Sequence, residues 1–191
     1  MARKGQAAME YLMTYGWALL VIIIVIAILL VILGRMVKGT PDCTFESAGF
    51  VCNQPTPPQI RSGHIYGVFQ HTLNEPINIT GITFVEGNPG VDALESSGCV
   101  FSGHSVKLSP RSQMTFTDIY QQVTGSSGNL PVYKYNPSSG TCEPDTALQK
   151  GSQVRGTLCI WFIRPSTSAL GVDPTHAEEV ECASVIANVE D

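Results

Sequence analysis

Charge is scarce in this chain, and one long part has none. Charged residues make up 14% of the 191, and none lies between Tyr11 and Leu33. A run apolar on every face does not suit a helix of a soluble domain, which normally keeps a polar stripe. Nor does it suit a cleaved secretory signal, whose apolar core has ~7–15 residues and ends at a small-residue site. Here Leu33-Gly34-Arg35-Met36 closes the run without an Ala-x-Ala pattern. Cysteine is absent from the first 42 residues. Cys-x-x-Cys and His-x-x-x-His are absent throughout, which weakens the case for zinc. No glycine-rich phosphate loop follows a strand and opens a helix, and there is no internal repeat or coiled-coil heptad.

What is present is length. A helix over Tyr11 to Leu33 would be about 35 Å long, enough to cross a ~30 Å hydrocarbon core. The chain therefore reads as one membrane-inserting helix carrying one outside domain. Arg3 and Lys4 precede the helix and Arg35 and Lys38 follow it, so the positive-inside rule gives no orientation. The six cysteines do, because disulfides persist outside the cytosol. Asn78-Ile79-Thr80, the one Asn-x-Ser/Thr sequon without an intervening proline, agrees if Asn78 carries a glycan. Residues after about 38 are expected outside.

Glu10 is out of place at the start of this helix. An ionised carboxylate deep in a bilayer costs on the order of 2.5–3.5 kcal/mol on insertion scales. In the headgroup layer the cost is small, and the positive helix N-terminus favours the charge. A second reading uses Lys4-Gly5-Gln6. A cut after Gly5 would free an amine on Gln6, about one turn from Glu10. In a bundle, Glu10 of one helix would pair with that amine of the next, and a buried charge with a partner is tolerable.

Lys-Gly-Gln-Ala-Ala-Met-Glu-Tyr-Leu, followed by the apolar run, resembles the class III (prepilin) signal peptide of archaeal type IV pilins. The likeness covers residues 3 to about 33, and departs from the family's common pattern at Ala8 and Thr14. It implies cleavage between Gly5 and Gln6 by a prepilin peptidase, with Glu10 as the acid at the fifth mature position. It also implies a filament subunit, and as partners an assembly ATPase, a membrane platform protein and other copies of the chain.

Beyond the helix, residues 39–58 read as a neck, with breakers at Thr40-Pro41-Asp42 and Pro55-Thr56-Pro57-Pro58. From Ile60 the pattern alternates. His64–His71 and Pro76–Val85 read as strands, with Leu73-Asn74-Glu75-Pro76 as turn chemistry between them. Cys99–Phe101, Ser105–Leu108 and Gln113–Thr117 continue as short strands. Tyr120–Lys150 is the least regular part, expected to be stapled by Cys142. Gln153–Arg164 is the strongest strand. Glu179–Val189 alternates like a strand, although Ala and Glu also allow a short helix. The expected class is α+β: a long hydrophobic helix, then a mainly antiparallel β-sandwich head over 59–191, stapled by disulfides.

Six cysteines make three bridges in fifteen possible connectivities. The pairing put forward is Cys43–Cys52, Cys99–Cys142 and Cys159–Cys182, with Cys43 and Cys52 also free to pair elsewhere. The histidines His64, His71, His104 and His176 are scattered, and a serine near a histidine in sequence is no triad. Asp173 to Glu181 gathers acids without calcium-loop spacing. No catalytic, metal or cofactor site is expected. Removing Arg3 and Lys4 takes the formal charge from −5 to −7, against a basic nucleic-acid footprint. The expected protein is a membrane-inserted precursor that becomes a surface filament subunit. The alternative is a minor pilin or anchored adhesin, with Tyr120, Tyr133 and Tyr135 as binding candidates.

Overall fold

A computed structural model describes residues 3–36, 39–53, 56–164 and 178–190, and within the first helix the side chains of Met13 and residues 15–32. The chain divides into two compact units, Met1–Gly39 and Thr40–Asp191. The first is a single helix, α1 (Arg3–Met36). Between Tyr15 and Ile32 it is long and apolar enough to cross a membrane, and none of that stretch is buried. Ile and Val are indifferent helix formers in water. A run of them is helical where lipid or other helices leave backbone groups no partner but the helix itself.

The second unit is built on three long antiparallel strands. β6 (Ile77–Glu86) and β12 (Glu178–Glu190) flank β11 (Gln153–Ile163). Residues 156–162 of β11 are all buried, so this strand is covered on both faces, as its nearly continuous apolar composition requires. Along the free edge of β6 run β7 (Phe101–Leu108), antiparallel, and β9 (Tyr133–Asn136), parallel, with β10 (Thr141–Pro144) paired to β9. Along the free edge of β12 run β1 (Asp42–Phe45), antiparallel, and β3 (Gln59–Arg61), parallel, with β4 (His64–Tyr66) paired to β3. A smaller antiparallel sheet joins β2 (Phe50–Cys52), β5 (Val68–His71) and β8 (Gln113–Thr115).

The body is thus α+β, with a mixed sheet curled into a half-barrel and three disulfides. This differs from the expected sandwich. Local alternation marks which residues face inward, but the sheet that each strand joins depends on distant partners. His64–His71 illustrates it. The expected single strand is two, broken at Gly67, and they lie in different sheets. A Cβ at Gly67 would sit 2.4 Å from the Phe116 ring, so glycine lets that ring close against the crossover.

Three more expectations change. Residues 42–52, assigned to the neck, belong to the body: β1 and β2 join its sheets, and Cys43, Phe50 and Cys52 lie in its core. The strand expected over Gln113–Thr117 ends at Thr115, where α3 (Phe116–Thr124) begins. Thr115 caps it, accepting a hydrogen bond from the Asp118 amide at 3.0 Å, and Gly125 ends it in the left-handed conformation at φ 68°. Phe116, Ile119 and Val123 recur at helical spacing and are buried. The irregular Tyr120–Lys150 region contains the end of α3 and the β9–β10 hairpin. A short helix, α2 (Val91–Ser96), follows Gly87–Gly90 and buries Leu94.

Two clusters fill the body. The larger lies inside the curl and includes Phe50, Phe69, Phe84, Phe116 and Phe162. The smaller lies on the other face of the three long strands, where Val85, Leu94, Cys99, Cys159 and Trp161 pack together. Trp161 donates its indole N–H to Glu95 Oε1 at 2.9 Å, so the ring's polar atom is satisfied.

Candidate functional site

The residues singled out near the N-terminus all fall in α1. Gly5, Gln6 and Glu10 are helical in backbone, and the helix passes through the Gly5–Gln6 bond without a break. Their side chains lie outside the described residues. Sixteen large apolar side chains between Met13 and Ile32 are exposed. Burying each is worth on the order of 1.5–3 kcal/mol. No stripe separates a buried face from a wet one, which is the pattern of a helix surrounded by lipid or by other helices.

The cysteines pair as Cys43–Cys52, Cys99–Cys142 and Cys159–Cys182. Each bridge ties elements that backbone pairing leaves separate, or ties neighbours more tightly. Cys43–Cys52 joins β1 to β2, and so one sheet to the other. Cys99–Cys142 fastens the β9–β10 hairpin to the segment entering β7. Cys159 and Cys182 sit opposite each other on β11 and β12.

Asn78 is half-buried on β6, between Lys107 of β7 and Ile163 of β11. The sequon's Thr80 hydroxyl donates to Glu178 Oε1. The acceptor therefore lies within the folded sheet.

The described histidines do not converge. His64 Nδ1 meets the Ser62 carbonyl at 2.8 Å, and His104 lies beside Gly125. His71 is fully buried, with Nδ1 3.3 Å from the Ser109 carbonyl and Nε2 without a partner. A carbonyl only accepts, so Nδ1 carries the proton. Burial lowers the His71 pKa and keeps the ring neutral, reinforced by Arg164 and opposed by the Ser109 bond and by Glu181 and Glu75. His176, Asp173 and their neighbours lie outside the described residues. Among the described residues no group of three or more His, Cys, Asp or Glu is placed to hold a metal ion.

Of the three tyrosines, Tyr120 and Tyr133 meet around Phe101, with ring centroids 4.9 and 5.4 Å from it. Burial pushes the Tyr120 phenol's pKa up, with Tyr133 adding to it. Both rings pack against the core clusters. Sequence reasoning missed a pocket of about 510 Å3 over β11 and β12. Its lining includes Arg155, Thr157, Ser184, Glu46 and the Gly87–Val91 segment. Apart from Arg155, no residue type there carries a signal, because small residues from three distant segments make the floor and walls.

No protein-family model, curated protein or solved structure matches this chain.

Proposed function

We propose that this chain is a structural subunit of a type IV pilus-like surface filament, held in the membrane by α1 until it assembles. The observation that carries the reading is the contrast within α1. Its charge-free run exposes apolar side chains on all faces, yet the helix begins with a basic leader, Gly5-Gln6 and an acid at Glu10. An ordinary anchor needs the apolar run alone. The Gly5–Gln6 bond lies in the first turns of α1, where backbone N–H groups have no helical partner. Glycine weakens a helix by ~1 kcal/mol relative to alanine, so this end opens for a peptidase at low cost.

Moving α1 from lipid into a bundle of copies gains little hydrophobic energy, so packing and paired polar groups must favour it. Glu10 with the Gln6 amine of a neighbour is the proposed pair. The disulfide-tied body would coat the filament, with a glycan at Asn78 placed before the sheet closes around it. The acceptor's position between β7 and β11 favours that order.

The test is the N-terminal residue of the mature chain together with Glu10→Ala. Mass spectrometry is expected to find a start at Gln6, and Glu10→Ala to insert normally but not assemble. Intact Met1 or Ala2 rules out processing, and normal filaments from Glu10→Ala rule out the pairing. A second reading is a minor subunit or anchored adhesin presenting the body. The clustered Phe101, Tyr120 and Tyr133 favour it, and trace abundance in purified filaments would support it over the first.

A further inference from the structure

Arg155 stands apart from the other arginines of the body. Arg61 pairs with Glu190 at 2.9 Å, Arg164 with Glu179 at 2.8 Å, and Arg111 donates to Asn74 at 3.1 Å. Arg155 is exposed on β11, opposite Ile186 of β12, and its guanidinium meets no acid or acceptor among the described residues. It closes one end of the pocket over the outer face of β11 and β12 and also borders a second recess lined by Lys134 and Glu86, which face each other at 3.9 Å. An unpaired guanidinium is unusual in a chain whose formal charge is −5.

The pocket suits a carboxylate at that end. The floor beside Arg155 is small and polar. Thr157 lies two residues along β11, and its hydroxyl is already committed to the Gly87 carbonyl at 2.9 Å. Ser184, opposite Thr157, is exposed and offers its hydroxyl. Glu46 is the pocket's acid. Its amide bonds the Cys182 carbonyl, four residues along β12 from the position opposite Arg155. At ~3.3 Å per residue that is about 13 Å. Glu46 and Arg155 thus line the pocket from positions well apart along β12. A guanidinium takes a carboxylate through two parallel hydrogen bonds, which fixes orientation as well as position.

We propose that the Arg155 pocket receives an acidic side chain from a neighbouring copy and sets the contact between bodies in the filament. This rests on the filament reading above. Charge complementarity argues for a second copy. The body carries many more acids than bases, so packed copies repel unless acids of one meet cations of the next. Most of the body's described arginines are spent on internal pairs. Among the described large apolar side chains of the body, Val51 is the one exposed, so hydrophobic packing between the described surfaces has little to work with.

The test uses full-length chains at matched expression in cells that make the wild-type chain. R155E is expected to reach the membrane, start at Gln6 and resist protease like the wild type, yet give at least tenfold fewer filaments. R155K is expected to retain part of the yield, since an ammonium keeps the charge but not the two-pronged geometry. Carbodiimide treatment of R155K filaments then reads the partner directly. It activates a carboxylate, the introduced amine displaces the urea, and an amide forms with net loss of water. A cross-linked peptide joining position 155 to an acid of another copy supports the proposal. Wild-type yield from R155E, or R155K filaments without any such cross-link, overturns it and leaves the filament reading standing. Absence of filaments from the wild type itself removes the filament reading and this contact with it.

Discussion

The two units of this protein solve the same problem in opposite ways. Among the described residues, the body keeps its large apolar side chains inside the curl or under α2 and the β9–β10 hairpin, with Val51 the exception. α1 exposes sixteen. The body can therefore meet water without help, and α1 cannot. A chain with both features must deliver the helix to an apolar environment while leaving the body wet, and the stages of the proposed filament assembly do that.

The largest expected effect breaks the comparison outright. Removing residues 1–39 should leave a body that is soluble without detergent and folded, because Thr40–Asp191 is a compact unit by itself. Sedimentation and circular dichroism check this, and a body that aggregates or unfolds would show that it needs α1. Next come the disulfides. Loop-closure entropy scales with the separation of the cysteines. Replacing both members by Ser should cost about 4 kcal/mol for Cys99–Cys142 and about 2.6 kcal/mol for Cys43–Cys52, whose separations are 43 and 9 residues. Urea unfolding followed through Trp161 fluorescence gives the order, and a reversed order would place the stabilisation in native packing instead.

Smaller effects sharpen the picture within the body. Thr115→Ala removes the cap of α3 and should cost ~1 kcal/mol in the same unfolding measurement. His71 adds a dependence on acid. Its pKa is lowered in the folded body, so the unfolded chain takes up the proton first as pH falls. The stability contributed by the neutral ring is present above the ordinary histidine value of ~6.5 and is lost below it. Comparing wild type with His71→Phe between pH 8 and pH 5 isolates this part. Equal slopes would mean that His71 is not the titrating group.

The parts legible beforehand share a short range. The continuous apolar character of β11 and the alternation along β12 mark both as strands, and both are strands. The alternation at Val180, Cys182, Ser184 and Ile186 outweighed the helical tendency of Ala and Glu because β11 offers a full ladder to pair with. α3 was missed although its signals are local. Thr115 with Asp118, the spacing of Phe116, Ile119 and Val123, and Gly125 are a helix start, face and stop. Phe and β-branched residues beside them suggested a strand, and the core under β7 and β6 settled the matter for the helix. The segment 42–52 was read as a neck because prolines flank it, and its strands form only against β12 and β5.

From sequence alone came the division of the chain. A charge-free run, a basic leader with Gly5-Gln6 and Glu10, and six cysteines confined to one side of that run are visible without coordinates. They are local in composition, and the hydrophobic effect acts on composition. Tertiary structure decided which sheet each strand joins, that Gly67 turns the chain from one sheet to the other, and that Arg155 meets no acid among the described residues beside a pocket. Those depend on which distant residues meet, and neither spacing nor composition carries that information.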